Sequence, residues 1–118
     1  MEDLTNLFEV QNLTNVSILK SKTKRTTVEI AASLKELLNK LIAEEGRNIL
    51  LIDLSEVELV ESSFLGAIVY AYKETMQRKG TIKVLVTNAV VYDRFILTQL
   101  DKLFEIFNNR EEALKSFE

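Results

Sequence analysis

"LIDLSEVELVESSFLGAIVYAYK", Leu51 to Lys73, is the stretch that decides how this chain folds. Its first residues belong to the apolar run "NILLIDL", which does not alternate, as expected of a strand buried on both faces. A polar turn, "SEVE", and a brief apolar "LV" follow, and then two adjacent serines, Ser62 and Ser63. From there Leu65, Ile68, Val69, Tyr72 and Met76 step three and four apart. That spacing predicts an amphipathic helix, closed by "RKG" at Gly80.

The two serines have two readings. A serine at a helix start can accept a hydrogen bond from an unpaired backbone N–H, worth about 1 kcal/mol over alanine. Alternatively, another protein acts on them. In an open α/β sheet, sites gather beyond the carboxyl ends of the strands, and both Asp53 and "ESS" lie there. The N–H groups of a helix start favour negative charge, which suits a phosphate on either serine. Phe64 also has two readings. With Leu65 turned inward it points partly away from the core, as a partner-facing aromatic, or else it is buried against a neighbouring helix.

Upstream, Ile30, Leu34, Leu37, Leu38, Leu41 and Ile42 share one face of a predicted helix. Thr26 or Thr27 can cap it, and Gly46 can end it in a left-handed turn. Before it, Leu7, Phe8 and Val10, then Val16, Ile18 and Leu19, flank a turn at Asn12–Asn15 and read as an edge hairpin. Downstream, "TIKVLVT" reads as a strand, "AVVYDRFILTQL" as a helix and "KLFEIF" as a short last strand. "NREEALKSFE" reads as a terminal helix capped by Asn108 or Asn109. The order β-β-α-β-α-β-α-β-α places the chain in the α/β class, with helices covering a sheet.

Bulk properties narrow the functions. The 118 residues suit one domain, spanning 1–118, and 47% hydrophobic with 28% charged residues is a globular composition. A net charge of −3 argues against nucleic acid as a partner. The basic cluster "KSKTKR", Lys20 to Arg25, reads as a solvated strand end or loop, and no apolar-basic helix adjoins it to hold a membrane. Cysteine and histidine are both absent, which removes thiolate chemistry, the usual general base and the commonest metal ligand. Asp53, Glu56, Glu58 and Glu61 could supply paired carboxylates, but read more simply as a solvated turn. No phosphate-cradling glycine loop is present. The expectation is a binding protein, not an enzyme, without cofactor or metal, in the cytoplasm.

Two longer runs carry a family resemblance. "ILLIDLSEVELVESSFLGAIVYAYKETMQRKGTIKVLVTN" resembles the STAS domain of bacterial anti-sigma factor antagonists, whose pattern is an apolar strand, D-L-S, a few residues, D-S-S/A-G-L-G and a helix. "LTQLDKLFEIFNNREEAL", Leu97 to Leu114, is similar to the family's tail, L-T-G-L-D-K-L-F-x-I-F and a short helix. The resemblance implies a mixed sheet of about five strands with four helices packed mainly on one side. It also implies a regulator of transcription that binds an anti-sigma factor, often itself a serine-protein kinase, and so releases a sigma factor. Phosphorylation of the first serine of the motif blocks that binding. The corresponding residue is Ser62, with Ser63 the second choice, and the expected partner-binding set is Asp53, Glu61, Ser62, Ser63 and Phe64. The expected state is a monomer or weak dimer. Glu61 stands where the family has aspartate and Phe64 where it has glycine, and the family's G-x-L/I-D before the first helix is replaced by "LKSKTKRTTVEI". The alternative is an unphosphorylated STAS scaffold subunit of a signalling assembly or lipid-transport complex.

Overall fold

The computed structural model describes residues 7–118. Strands β1 (Phe8–Asn12) and β2 (Ser17–Ser21) form the antiparallel edge hairpin, with Phe8 opposite Ser21 and Val10 opposite Leu19. The Leu13 N–H closes its turn on the Val16 carbonyl at 2.9 Å. Strands β3 (Ile49–Asp53), β4 (Thr81–Leu85) and β5 (Ile106–Phe107) then add in parallel, giving the order β1-β2-β3-β4-β5.

Each parallel step is bridged by a helix: α1 (Val28–Asn39), α2 (Ser62–Gln77) and α3 (Ala89–Leu97). Crossovers of one hand that all advance in one direction must lie on one face of the sheet. There Leu19, Leu50, Ile52, Ile82 and Val84 meet Leu34, Leu38, Phe64, Ile68, Val91 and Phe95. The opposite face is smaller and is covered by α4 (Arg110–Lys115). It joins Val16, Ile18, Leu51 and Leu85 to Ala113, with Phe107, Leu114 and Phe117 at the margin. Leu50 and Ile52 therefore serve one core and Leu51 the other, which is why the strand reads as apolar without alternation.

Capping divides the predicted candidates. The Thr27 hydroxyl accepts the Ile30 N–H at 3.2 Å and caps α1, whereas Thr26 is buried and its hydroxyl accepts the Glu61 N–H at 2.9 Å. The last turn of α1 widens into a π-turn, Lys40–Glu44, before Gly46 takes a φ of 67°. Asn88 accepts from Val90 and Val91 to open α3, and Asn109, not Asn108, accepts from Glu112 to open α4.

Three expectations are corrected. The buried face of α2 runs through Phe64, Leu65, Ala67, Ile68, Ala71 and Thr75, while Met76 is 52% exposed. Small side chains at 67 and 71 let α2 sit close to the sheet, rotating the stripe towards Phe64. Phe64 is fully buried, so the partner-facing placement does not hold and the packing alternative does. Finally, "KLFEIF" is mostly not strand. Leu100–Lys102 is a 3₁₀ turn, and Phe104 leaves the sheet line to meet Tyr72 and Phe95 edge-on, at 5.5 and 6.4 Å between ring centroids. Only Ile106 and Phe107 pair with β4.

Candidate functional site

Adjacent parallel strands deliver their following loops to the same edge of a sheet. The loop after β2, carrying Lys22 to Thr26, therefore lies beside the loop after β3, carrying Leu54 to Glu61. The two are zipped together by main-chain bonds. The Lys24 carbonyl accepts from Glu58 N–H at 2.7 Å and Leu59 N–H at 3.1 Å, and Thr26 N–H donates to the Leu59 carbonyl at 3.2 Å. Arg25 and Leu59 form a parallel bridge. Buried Thr26 finishes the zipper at the Glu61 N–H. The basic cluster is thus no free loop. It is the near wall of the entrance to α2.

At that entrance Glu61 is the N-cap residue, with extended backbone (φ −100°, ψ 161°) and no side-chain capping bond. Its carbonyl accepts the Phe64 and Leu65 N–H groups at 3.0 and 3.2 Å, which starts the helical ladder. Ser62 and Ser63 are the first two helical residues and both are exposed. Neither is the cap, so the first reading of the serine pair is corrected. Their N–H groups are first-turn donors beyond the reach of the helix's own carbonyls. Ser63 also lines a shallow groove of about 240 Å³ between α1 and α2, with Val28, Ala32, Lys35 and Gly66.

Asp53 lies elsewhere. Side chains alternate along β3, so with Leu51 it faces α4, across the sheet from α2. It is 2% exposed, its Oδ1 accepts the Ser55 N–H at 2.9 Å, and Oδ2 faces Arg110 Nη1 at 3.4 Å. Arg110 also donates to Gln11 Oε1 at 3.2 Å. A cavity of about 340 Å³ opens beside this pair, with Lys20 and Thr87 on its walls. Of the five residues expected to form one partner surface, Glu61, Ser62 and Ser63 are exposed together at the start of α2. Phe64 lies beneath them and Asp53 is held on the opposite face.

Charge is paired locally at the loop edge. Lys20 Nζ lies 2.6 Å from Glu56 Oε2. That hydrogen bond holds the Lys20 ammonium above its ordinary pKa of 10.5 and the Glu56 carboxyl below 4.5. Among the described residues no three carboxylate, imidazole or thiolate side chains converge as a metal site would require, and no helix is long and apolar enough to cross a membrane. What sequence reading missed was the pairing of "KSKTKR" with the loop that leads into the serines. Its signal was available, because two neighbouring parallel strands end in these two loops.

The profile of the STAS domain matches residues 9–113. Among solved structures, the chain is similar to TM1081 of Thermotoga maritima, provisionally assigned as an anti-sigma factor antagonist. The identity is 26% with a TM-score of 0.84, covering 93% of each chain. It is similar in fold to an anti-sigma factor antagonist of Mycobacterium paratuberculosis, at 24% identity and a TM-score of 0.83, covering 93% of this chain and 92% of that one. The phosphorylated form of the Bacillus cell fate determinant SpoIIAA shares the fold at 12% identity and a TM-score of 0.74, over 94% of this chain and 99% of that one. The profile spans almost the whole chain, and the sheet order and helix placement agree with these neighbours: the protein belongs to the STAS domain family.

Proposed function

We propose that this protein is an anti-sigma factor antagonist: it binds an anti-sigma factor that is also a serine kinase, and phosphorylation of Ser62 ends the complex. The observation that carries the reading is the state of Ser62. It is exposed at the first turn of α2, is not the N-cap, and sits beside Glu61 and Ser63 on an accessible surface. A side chain without a structural duty can be modified without cost to the fold. In the reaction, the Ser62 hydroxyl oxygen bonds to the γ-phosphorus of ATP, ADP leaves, and the hydroxyl proton is released. The phosphate then stands where a partner would press. Loss of about 2.8 kcal/mol of binding free energy lowers affinity a hundredfold.

The test mixes the purified chain with ATP and the serine-kinase anti-sigma factors of its own cell, and locates phosphate by mass spectrometry. One phosphate on Ser62, with loss of the complex, is the expected result. Ser62→Ala should still bind, and Ser62→Asp should bind far less. A phosphate on Ser63 alone would move the switch by one residue, and a stable complex that never accepts phosphate would leave an unswitched binding module. The scaffold alternative is told apart by kinase treatment that leaves the chain unmodified while Phe64→Ala weakens its assembly.

A further inference from the structure

Lys22, Lys24 and Arg25 are exposed and join none of the ion pairs among the described residues, on a chain of net charge −3. Three unpaired cations in a row of four residues, on an acidic protein, call for a counter-charge. Their main chain is fixed by the zipper described above. Arg25 is in register with Leu59, three residues before Ser62, and the next residue, Thr26, bonds to Glu61, one residue before Ser62. The Glu58 and Glu61 carboxylates form no ion pair among the described residues. The main chain that carries the cations is held in place; Lys22 and Lys24 line a groove with Glu56 and Glu58, and Lys22, after Lys20, helps to lower the Glu56 pKa.

We propose that Lys24 and Arg25 form a built-in receptor for a phosphate on Ser62, closing on it within the same chain. The inference rests on the reading of Ser62 as the modified residue. A phosphoserine brings about −1.5 to −2 charges and three acceptor oxygens, and an arginine fork matches two of those oxygens at once. The charged groups nearby are Glu58 and Glu61 on its own segment, with Glu56 there paired to Lys20, and Lys22, Lys24 and Arg25 on the facing loop. Helix α1 adds Glu29 in its first turn, while its Lys35 is drawn over the Tyr70 ring, 4.6 Å from the centroid and further along α2. Three cations stand against three carboxylates, and the free N–H groups at the start of α2 tip the balance towards holding an anion. Modification therefore neutralises the basic wall of the site instead of extending its acidic side, and it changes what a partner meets on both loops.

The test uses the full chain with phosphoserine installed at position 62 during synthesis, titrated by phosphorus NMR. The second phosphate pKa is expected below its usual value of about 6, because the cations favour the dianion. Replacing both cations, Lys24→Gln with Arg25→Gln, is expected to raise it by about half a pH unit, and Arg25→Lys alone to raise it less. The zipper is main-chain, so these side-chain changes leave it intact, and the amide spectrum verifies that. A pKa at or above 6 in the parent would overturn the receptor, as would a lowered pKa that survives the double replacement. Because the phosphate is installed without a kinase, failure here is separate from failure of a kinase to modify Ser62.

Discussion

Phe64 and Gly66 stand two residues apart on α2 and answer opposite physical demands. Phe64 is fully buried among the helices, and Phe64→Ala empties a core position at a cost of about 3–5 kcal/mol. Gly66 faces outward, and a Cβ built on it meets nothing within 4 Å. A helix-interior glycine is weaker than alanine by about 0.5–1 kcal/mol, so Gly66→Ala is expected to stabilise the protein by that amount. Gly80 is the contrary case. A Cβ there would collide with the Asn48 carbonyl oxygen, the same oxygen that accepts the Thr81 N–H at 2.8 Å where β4 begins beside β3. Gly80→Ala should therefore destabilise. Urea midpoints of the three variants check the set: down for 64 and 80, up for 66. A fall at 66 would mean that its open face is not open in solution.

At the scale of elements, α4 is the shortest of the four helices, six residues with one fully buried side chain, Ala113. Two polar contacts hold its ends: Arg110 to Asp53, and Lys83 to the Ser116 carbonyl and hydroxyl at 3.1 and 2.9 Å. Arg110→Ala leaves the buried Asp53 carboxylate with only the Ser55 N–H as partner and should cost about 1–2 kcal/mol. Asp53→Asn keeps that N–H bond and should cost less than Asp53→Ala. Thermal unfolding of the three variants orders these effects, and equal losses for both Asp53 changes would deny the Ser55 bond its part. Most elements were legible in the sequence because local pattern and tertiary role agree: the hairpin from its polar turn, α1 from its apolar face, β3 from its unbroken apolar run. The failures come where they disagree. Phe64 was misjudged because Ala67 and Ala71, too small to register as a stripe, set the helix rotation. The last strand was overdrawn because Phe104, apolar in either role, belongs to an aromatic cluster. Asp53 shared a strand end with the serine loop in the chain, but strand alternation sends its side chain through to the other face. Local pattern does not report which face.

For the molecule as a whole, charge is arranged by edge and not by total. The Lys20–Glu56 pair joins the ends of β2 and the β3–α2 loop, and its contribution has a defined pH window. Glu56 has a folded pKa lowered from 4.5, so its stabilisation is present above 4.5 and is lost as pH falls through the lowered value. Lys20 has a folded pKa raised from 10.5, so its part is present below 10.5 and is lost as pH rises through the raised value. Lys20→Gln should accordingly lower the urea midpoint at pH 7 and leave it unchanged at pH 2, where the parent has lost the pair as well. High salt should shrink the difference at pH 7, since both side chains are partly exposed. An effect that persists undiminished in acid would assign the loss to packing of the lysine stem.

The one-sidedness of the crossovers bears on how the molecule is made. Three helices are laid down on the same face as the chain lengthens, each soon after the strand it follows. The other face of β2, β3 and β4, with Ile18, Leu51 and Leu85, waits for residues 110–117. During synthesis that apolar surface is bare until residues 110–117 leave the ribosome. The growing chain is therefore prone to self-association between the pairing of β4 and the docking of α4, and a short helix of modest packing ends that exposure.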